Sequence, residues 1–303
     1  MSGIIISIVP ILLAFIWGYL LKRFRFFTSD DGSVLLRLVF YAGAPALAYV
    51  SIVEAELNAT FAIFAVVPFV VALSTLLVFY ILRRLILQTT PLPTFASMII
   101  GAMIMNTGFL IPFIEEIYGA EGLSRFVILD AANAVVTFSL VYAIAVRSGS
   151  GTIRPGYIAQ KLLTAPPLWA VLLALIVRFT GLETPEVILE TAGILAKLVS
   201  PVILLALGIK FSPQLRSLPL LSLGIAGRFI LGGVIGLVIV HLFGLTGLDA
   251  AIVLLAGLAP IGFNSITFSD LENLDSEFAA TQVSVGILIG LVVIPVVIGL
   301  LAQ

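Results

Sequence analysis

Charged residues punctuate this chain at intervals that leave long apolar runs between them. Residues 1 to 21, 57 to 82, 85 to 114 and 278 to 303 contain no Asp, Glu, Lys or Arg, and about 20 apolar residues cross the hydrocarbon of a bilayer as a helix. Lipid offers a bare peptide group no hydrogen-bond partner, so each run is read as a helix bounded by charge, glycine and proline rather than by amphipathic period. Ten spans result: Gly3 to Leu21, Val34 to Val53, Phe61 to Leu82, Phe95 to Tyr118, Ser124 to Val146, Leu162 to Val177, Glu186 to Ile209, Leu218 to Leu242, Leu248 to Phe268 and Phe278 to Ala302. An acidic turn, Ser269 to Glu277, separates the last two. The fold class expected is an all-α polytopic membrane protein.

Composition closes off most other classes. With 303 residues, 61% hydrophobic, 10% charged and a mean hydropathy of +1.26, the chain is too apolar to keep a water-facing surface. The first 21 residues lack a leading positive charge and a small-residue cleavage pattern, so they read as a first mature helix and not as a signal peptide. The absence of Cys and the single His leave no disulfide, thiolate metal site or His relay, and no cofactor is expected. A formal charge of −1 argues against nucleic acid as a partner.

Basic residues stay on the cytoplasmic side of short loops. Lys22, Arg23, Arg25, Arg83, Arg84, Arg147, Arg154, Lys161, Lys210 and Arg216 fall in one set of alternate loops, against Arg125 and Arg178 in the other. Both termini are therefore expected outside a cell membrane. The longest loop, Arg147 to Gln160, is too short for a second folded domain.

Dividing the chain into residues 1–155 and 156–303 gives five spans on each side, and an odd number makes the second half insert upside down relative to the first. Proline placement agrees with this inverted repeat. Pro45 and Pro201 lie in the second and seventh spans, and Pro112 and Pro260 in the fourth and ninth. The fourth span reads Gly101-Ala-Met-Ile-Met-Asn106-Thr107-Gly108-Phe-Leu-Ile-Pro112, and the ninth Ala259-Pro260-Ile-Gly262-Phe-Asn264-Ser265. A proline removes a donor and clashes with the preceding turn, so both spans are expected to break near mid-membrane. Two broken helices crossing there would aim their half-helix N-termini, which carry partial positive charge, at a common site for an anionic group.

These stretches resemble the auxin efflux carrier family of PIN-type carriers and their prokaryotic relatives. The resemblance is carried by Asn106-Thr107-Gly108-Phe109-Leu110-Ile111-Pro112 with Tyr118-Gly119-Ala120-Glu121-Gly122, by Leu205-Ala206-Leu207-Gly208, and by Ala259-Pro260 with Asn264-Ser265. It implies the fold shared with bile-acid symporters and sodium/proton antiporters. In that fold a panel of spans 1, 2, 6 and 7 holds a unit of spans 3 to 5 and 8 to 10 that moves in elevator fashion. It further implies an organic anion held at the crossover by Asn106 and Asn264, and a homodimer through the panel. Plant members with a long hydrophilic insert between spans five and six differ from this chain, whose corresponding loop is short.

Deep charges complete the candidate set. Asp130 lies about 9 Å into the fifth span at 1.5 Å per residue, where an ionised carboxylate costs roughly 2.5 to 3.5 kcal/mol. Asn133 and Thr137 follow at i+3 and i+7 on the same face. Gln282 of the tenth span is the neutral counterpart of Asp130 in the second half. Arg228 is flanked by Gly224 and Gly232, and the resemblance to antiporters of this fold, in which an acid on the fifth span faces a base on the eighth, implies that it pairs with Asp130. Lys197 in the seventh span is read as a subunit contact or a snorkelling stem, and Glu115 and Glu116 as solvated acids toward the outer face. Coupling is left open between a proton on Asp130, sodium on carbonyls and Asn106, and uniport. An intramembrane enzyme lacks its nucleophile and base here. A channel would pass ohmic current. An antiporter of the same fold would be expected to carry an acid pair at depth, where only Asp130 is visible.

Overall fold

The computed structural model describes residues 2–55, 60–149, 151, 155–212 and 218–301, and the described residues are helical apart from short connections. We number the helices α1 (Ser2–Arg23), α2 (Ser29–Val53), α3 (Phe61–Leu85), α4 (Leu92–Met103), α5 (107–118), α6 (120–148), α7 (Pro155–Leu163), α8 (Pro166–Thr180), α9 (Glu186–Lys210), α10 (Leu218–Leu242), α11 (Gly247–Gly257), α12 (Asn264–Leu271) and α13 (Ser276–Leu301). Among the described residues six helices are long and apolar enough to cross a membrane, and a seventh span arises if the pair around the 55° bend between α7 and α8 counts as one. The shorter apolar helices α4 and α11 lie on either side of breaks.

Local chemistry accounts for several helix ends that differ from the expected ones. α2 starts at Ser29, five residues before the expected Val34, because Thr28 and Asp31 form a capping box. Asp30 and Asp31 thereby occupy a first turn whose dipole favours acids. α5 and α6 follow each other across Gly119, whose φ of 56° and ψ of −150° suit a residue without a Cβ. The connector expected from Tyr118 to Ser124 is thus a kink at one residue.

Proline acts less uniformly than expected. Pro45 does not break α2; the helix widens instead into a π-turn over Val39–Gly43 just ahead of it. Pro201 lacks the N–H that would bond the carbonyl of Lys197, and α9 is interrupted there by a turn at Lys197 and Leu198. Pro112 lies inside α5 and is not the point of interruption of the fourth span. Two further π-turns interrupt α6 at Thr137–Val141 and α10 at Gly227–Leu231.

The chain divides into two compact units. The first comprises Met1–Phe64, Gly108–Ala131 and Leu163–Phe211, and the second Ala65–Thr107, Ala132–Leu162 and Ser212–Gln303. In the first, α1 lies closely on α9: a Cβ on Gly18 would meet the backbone of Leu205, and one on Gly208 the backbone of Phe15 and Tyr19. Ala48 and Ile52 of α2 pack with Val127, Val171 and Ala174 in a small apolar core. In the second, Phe79 of α3 fills the space left by Gly227, and Ser97 of α4 shares a 2.9 Å hydrogen bond with Ser269 of α12.

Because α1 and α9 touch through backbone, Gly208→Ala is expected to lower the melting temperature of the purified protein. The loss corresponds to about 1–3 kcal/mol of overpacking. Gly193→Ala, on the part of α9 where a Cβ would meet open space, should instead be neutral or stabilising by up to about 1 kcal/mol. Equal responses of the two variants would contradict this packing.

Candidate functional site

The second unit brings the two interruptions together. α4 ends at Met103 and the chain runs extended from Ile104, with φ −86° and ψ 120°. α11 ends at Gly257, and residues 258–263 cross to α12. Met105 and Ile261 form an antiparallel bridge, in which Asn106 N–H donates to the Pro260 carbonyl at 2.8 Å and Gly262 N–H to the Ile104 carbonyl at 3.2 Å. Each broken segment therefore satisfies backbone groups of the other, as buried peptide groups require. A Cβ on Gly262 would stand 2.6 Å from Ile104 Cγ2 and 3.2 Å from the Met105 carbonyl oxygen, so this closeness depends on glycine.

Side chains reinforce the crossing. Asn106, buried, donates from Nδ2 to the Ile261 carbonyl at 3.4 Å. Asn133, also buried, reaches from α6 to the Met105 carbonyl at 3.2 Å. Ser265 is sealed and donates to the Gly262 carbonyl at 2.7 Å. Thr107 is buried and Asn264 half-buried, and they stand at the first turns of α5 and α12. Pro260 is buried within the interruption itself. Of the remaining expected site residues, Gly108, Pro112 and the half-buried Asp130 belong to the first unit.

Arg228 has a role the sequence did not disclose. It is fully buried, and among the described residues its hydrogen bonds run to four backbone carbonyls. Nε donates to Ala259 at 2.9 Å, one terminal nitrogen to Ala102 at 3.3 Å, and the other to Ala256 at 3.3 Å and Gly257 at 2.6 Å. The carbonyls of Ala102, Ala256 and Gly257 close α4 and α11, the ends where a helix carries partial negative charge, and that of Ala259 lies in the connection to α12. One guanidinium thus neutralises both C-terminal ends. The N-terminal ends at Thr107 and Asn264 keep their partial positive charge, and such ends favour an anion. A lone arginine flanked by Gly224 and Gly232 was the available signal: the flanking glycines let backbone approach, and backbone offers carbonyls as readily as a helix offers a carboxylate.

Gln282 is fully buried with its amide against Gly101 and Gly224, and neither amide atom has a hydrogen-bond partner among the described residues. Elsewhere, Glu115 departs from the expected solvated acid: it is half-buried and accepts a short hydrogen bond from the Ser200 hydroxyl within the first unit. Lys197 is exposed on α9. Among the described residues no group of three or more His, Cys, Asp or Glu is arranged to hold a metal ion.

Arg228→Leu is expected to lower the melting temperature by the equivalent of about 3 kcal/mol, because each buried carbonyl left without a donor costs about 1–3 kcal/mol. Arg228→Lys should recover part of the loss, since an ammonium reaches fewer of the four acceptors. A leucine variant melting with the wild type would contradict the capping role.

Comparison with known proteins gives the family. The sequence profile of the membrane transport protein family matches residues 3–156 and 156–298. An uncharacterized transporter of Methanocaldococcus jannaschii is 25% identical over 293 residues, covering 94% of each chain. An uncharacterized transporter of Methanothermobacter thermautotrophicus is 25% identical over 295 residues, covering 95% of each. With its length matched almost end to end, the chain belongs to the membrane transport protein family, the auxin efflux, PIN-like group.

Proposed function

We propose that the protein is a secondary carrier that moves a small organic anion, such as a carboxylate, by elevator-type alternating access, in the direction of efflux. The observation that carries this reading is the crossing of α4–α5 and α11–α12 at Met105 and Ile261, with Arg228 on the carbonyl ends and nothing of opposite charge in the first turns of α5 and α12. In this reading the carboxamides of Asn106 and Asn264 and the hydroxyl of Thr107 bind the anion, and Ser265, whose hydroxyl donates to the Gly262 carbonyl, holds the crossing turn beside them. Pro260 shapes the backbone around the anion.

Counting α4 with α5, α7 with α8 and α11 with α12 as single passes gives ten spans, and the two interruptions then fall in the fourth and ninth. That is the spacing of an inverted repeat of five and five, and the family match divides at residue 156, where the halves would meet. Helices α1, α2, α8 and α9, all in the first unit, are proposed as the static panel and as the contact of a homodimer. Asp130 is the proposed titratable centre, with Asn133 following it one turn along α6; Arg228, spent on the four carbonyls, is not its counter-charge. Asp130 would take a coupling proton if the carrier is proton-driven. Sodium held by carbonyls near Asn106 is the other proposed coupling.

Screening the purified protein against carboxylates, at several pH values with and without sodium, tests the reading, because a ligand of the folded state raises its melting temperature. At least one carboxylate is expected to do so. Asn106→Ala and Asn264→Ala should each weaken that ligand by about tenfold or more, the loss of one hydrogen bond to a charged group being about 1.5–3 kcal/mol. Unaltered affinity in both variants would remove the crossover as the binding site. If Asp130 carries the proton, Asp130→Asn should transport at a rate independent of pH in proteoliposomes, whereas a wild-type pH profile in that variant would assign coupling elsewhere.

A further inference from the structure

At its inner end α1 stops in the sequence Lys22-Arg23-Phe24-Arg25-Phe26-Phe27. The helix closes with a paired cap: Phe26 N–H donates to the Leu21 carbonyl at 2.9 Å and Arg25 N–H to the Lys22 carbonyl at 3.0 Å. This cap places Arg25 in the left-handed region, with φ of 63°, at the position where glycine is the usual occupant because it lacks a Cβ. An arginine there is held against its own backbone preference, and its side chain is displayed at the surface.

The surroundings of that arginine match one kind of partner. Arg23 and Arg25 are exposed, and neither makes a hydrogen bond or ion pair among the described residues. Phe24 and Phe26 are 66% and 75% exposed, with Trp17 also exposed on the preceding turns. Of the acids that follow, Asp31 is engaged, accepting from the Thr28 N–H and hydroxyl at 2.7 Å each. Lys22 donates to the Phe211 carbonyl at 2.8 Å, which ties the turn to the end of α9. The 22 residues of α1 reach about 33 Å at 1.5 Å per residue, roughly the hydrocarbon thickness, so the turn emerges at the headgroup layer.

We propose that this turn is a seat for an anionic phospholipid, with the headgroup phosphate between the guanidinium groups of Arg23 and Arg25 and the acyl chains against Phe24 and Phe26. Paired guanidinium groups suit phosphate oxygens, and aromatic rings at the interface suit the boundary between headgroup and chain. The inference requires only that α1 crosses a bilayer, and it holds for any substrate of the carrier.

The test uses the purified full chain in nanodiscs of phosphatidylcholine alone or of equal parts phosphatidylcholine and phosphatidylglycerol, read as melting temperature and as lipid retained in native mass spectrometry. The wild type should melt several degrees higher in the phosphatidylglycerol discs and retain phosphatidylglycerol, while soluble glycerol phosphate gives no such rise. The double variant Arg23→Gln with Arg25→Gln should lose most of the increment. Arg25→Gly guards against misfolding, since glycine fits the cap: it should melt at or above the wild type in phosphatidylcholine and still lose much of the increment. Arg178→Gln, at the end of α8, should keep it. Full retention of the increment by Arg25→Gly and the double variant, equal loss in Arg178→Gln, or its reproduction by glycerol phosphate would each overturn the proposal.

Discussion

A peptide group deprived of water must find a partner, and in this protein two interrupted segments find it in each other. The N–H of Asn106 and the carbonyl of Pro260, with the N–H of Gly262 and the carbonyl of Ile104, form a rung of antiparallel pairing that stands alone among the described residues, which are otherwise helices and short connections. The rung has a cost that only neighbours can offset, because each interruption frees further carbonyls and amides. Asn133 and Asn106 take two of the carbonyls, and Arg228 takes four more. Exchanging any of these for an apolar side chain would leave buried acceptors unpaired.

The electrostatic consequence follows from which ends are neutralised. A guanidinium on the C-terminal ends of α4 and α11 cancels charge of one sign only, and the opposite ends keep theirs. The partial positive charge left at the starts of α5 and α12 is the feature that would favour the anion proposed above.

Much of this was legible in the residues themselves. α10 occupies Leu218–Leu242, the bounds set by its flanking punctuation, and the carboxamides at 106 and 264 mark both interruptions. What could not be read was how the fourth span breaks. Met103-Ile-Met-Asn106 contains no proline or glycine, and its extended conformation is imposed by residues 260–262, more than 150 positions away, while Pro112 is accommodated within a helix. For the same reason Arg228 suggested a carboxylate partner: sequence shows which side chains are charged but not which backbone carbonyls have been released. The bond between Ser200 and Glu115 was equally hidden, since neither residue has a local pattern that points to the other.

The crossing can be tested directly because the chain contains no cysteine. Met105→Cys combined with Ile261→Cys places two thiols on facing residues of an antiparallel bridge, within the span a disulfide can close. In membranes treated with a lipid-permeable oxidant, an intramolecular cross-link is expected that joins the two halves after cleavage of the loop between α6 and α7. Two thiols that stay reduced under that oxidant, yet both react with a maleimide once the protein is unfolded, would show that the interrupted segments do not meet.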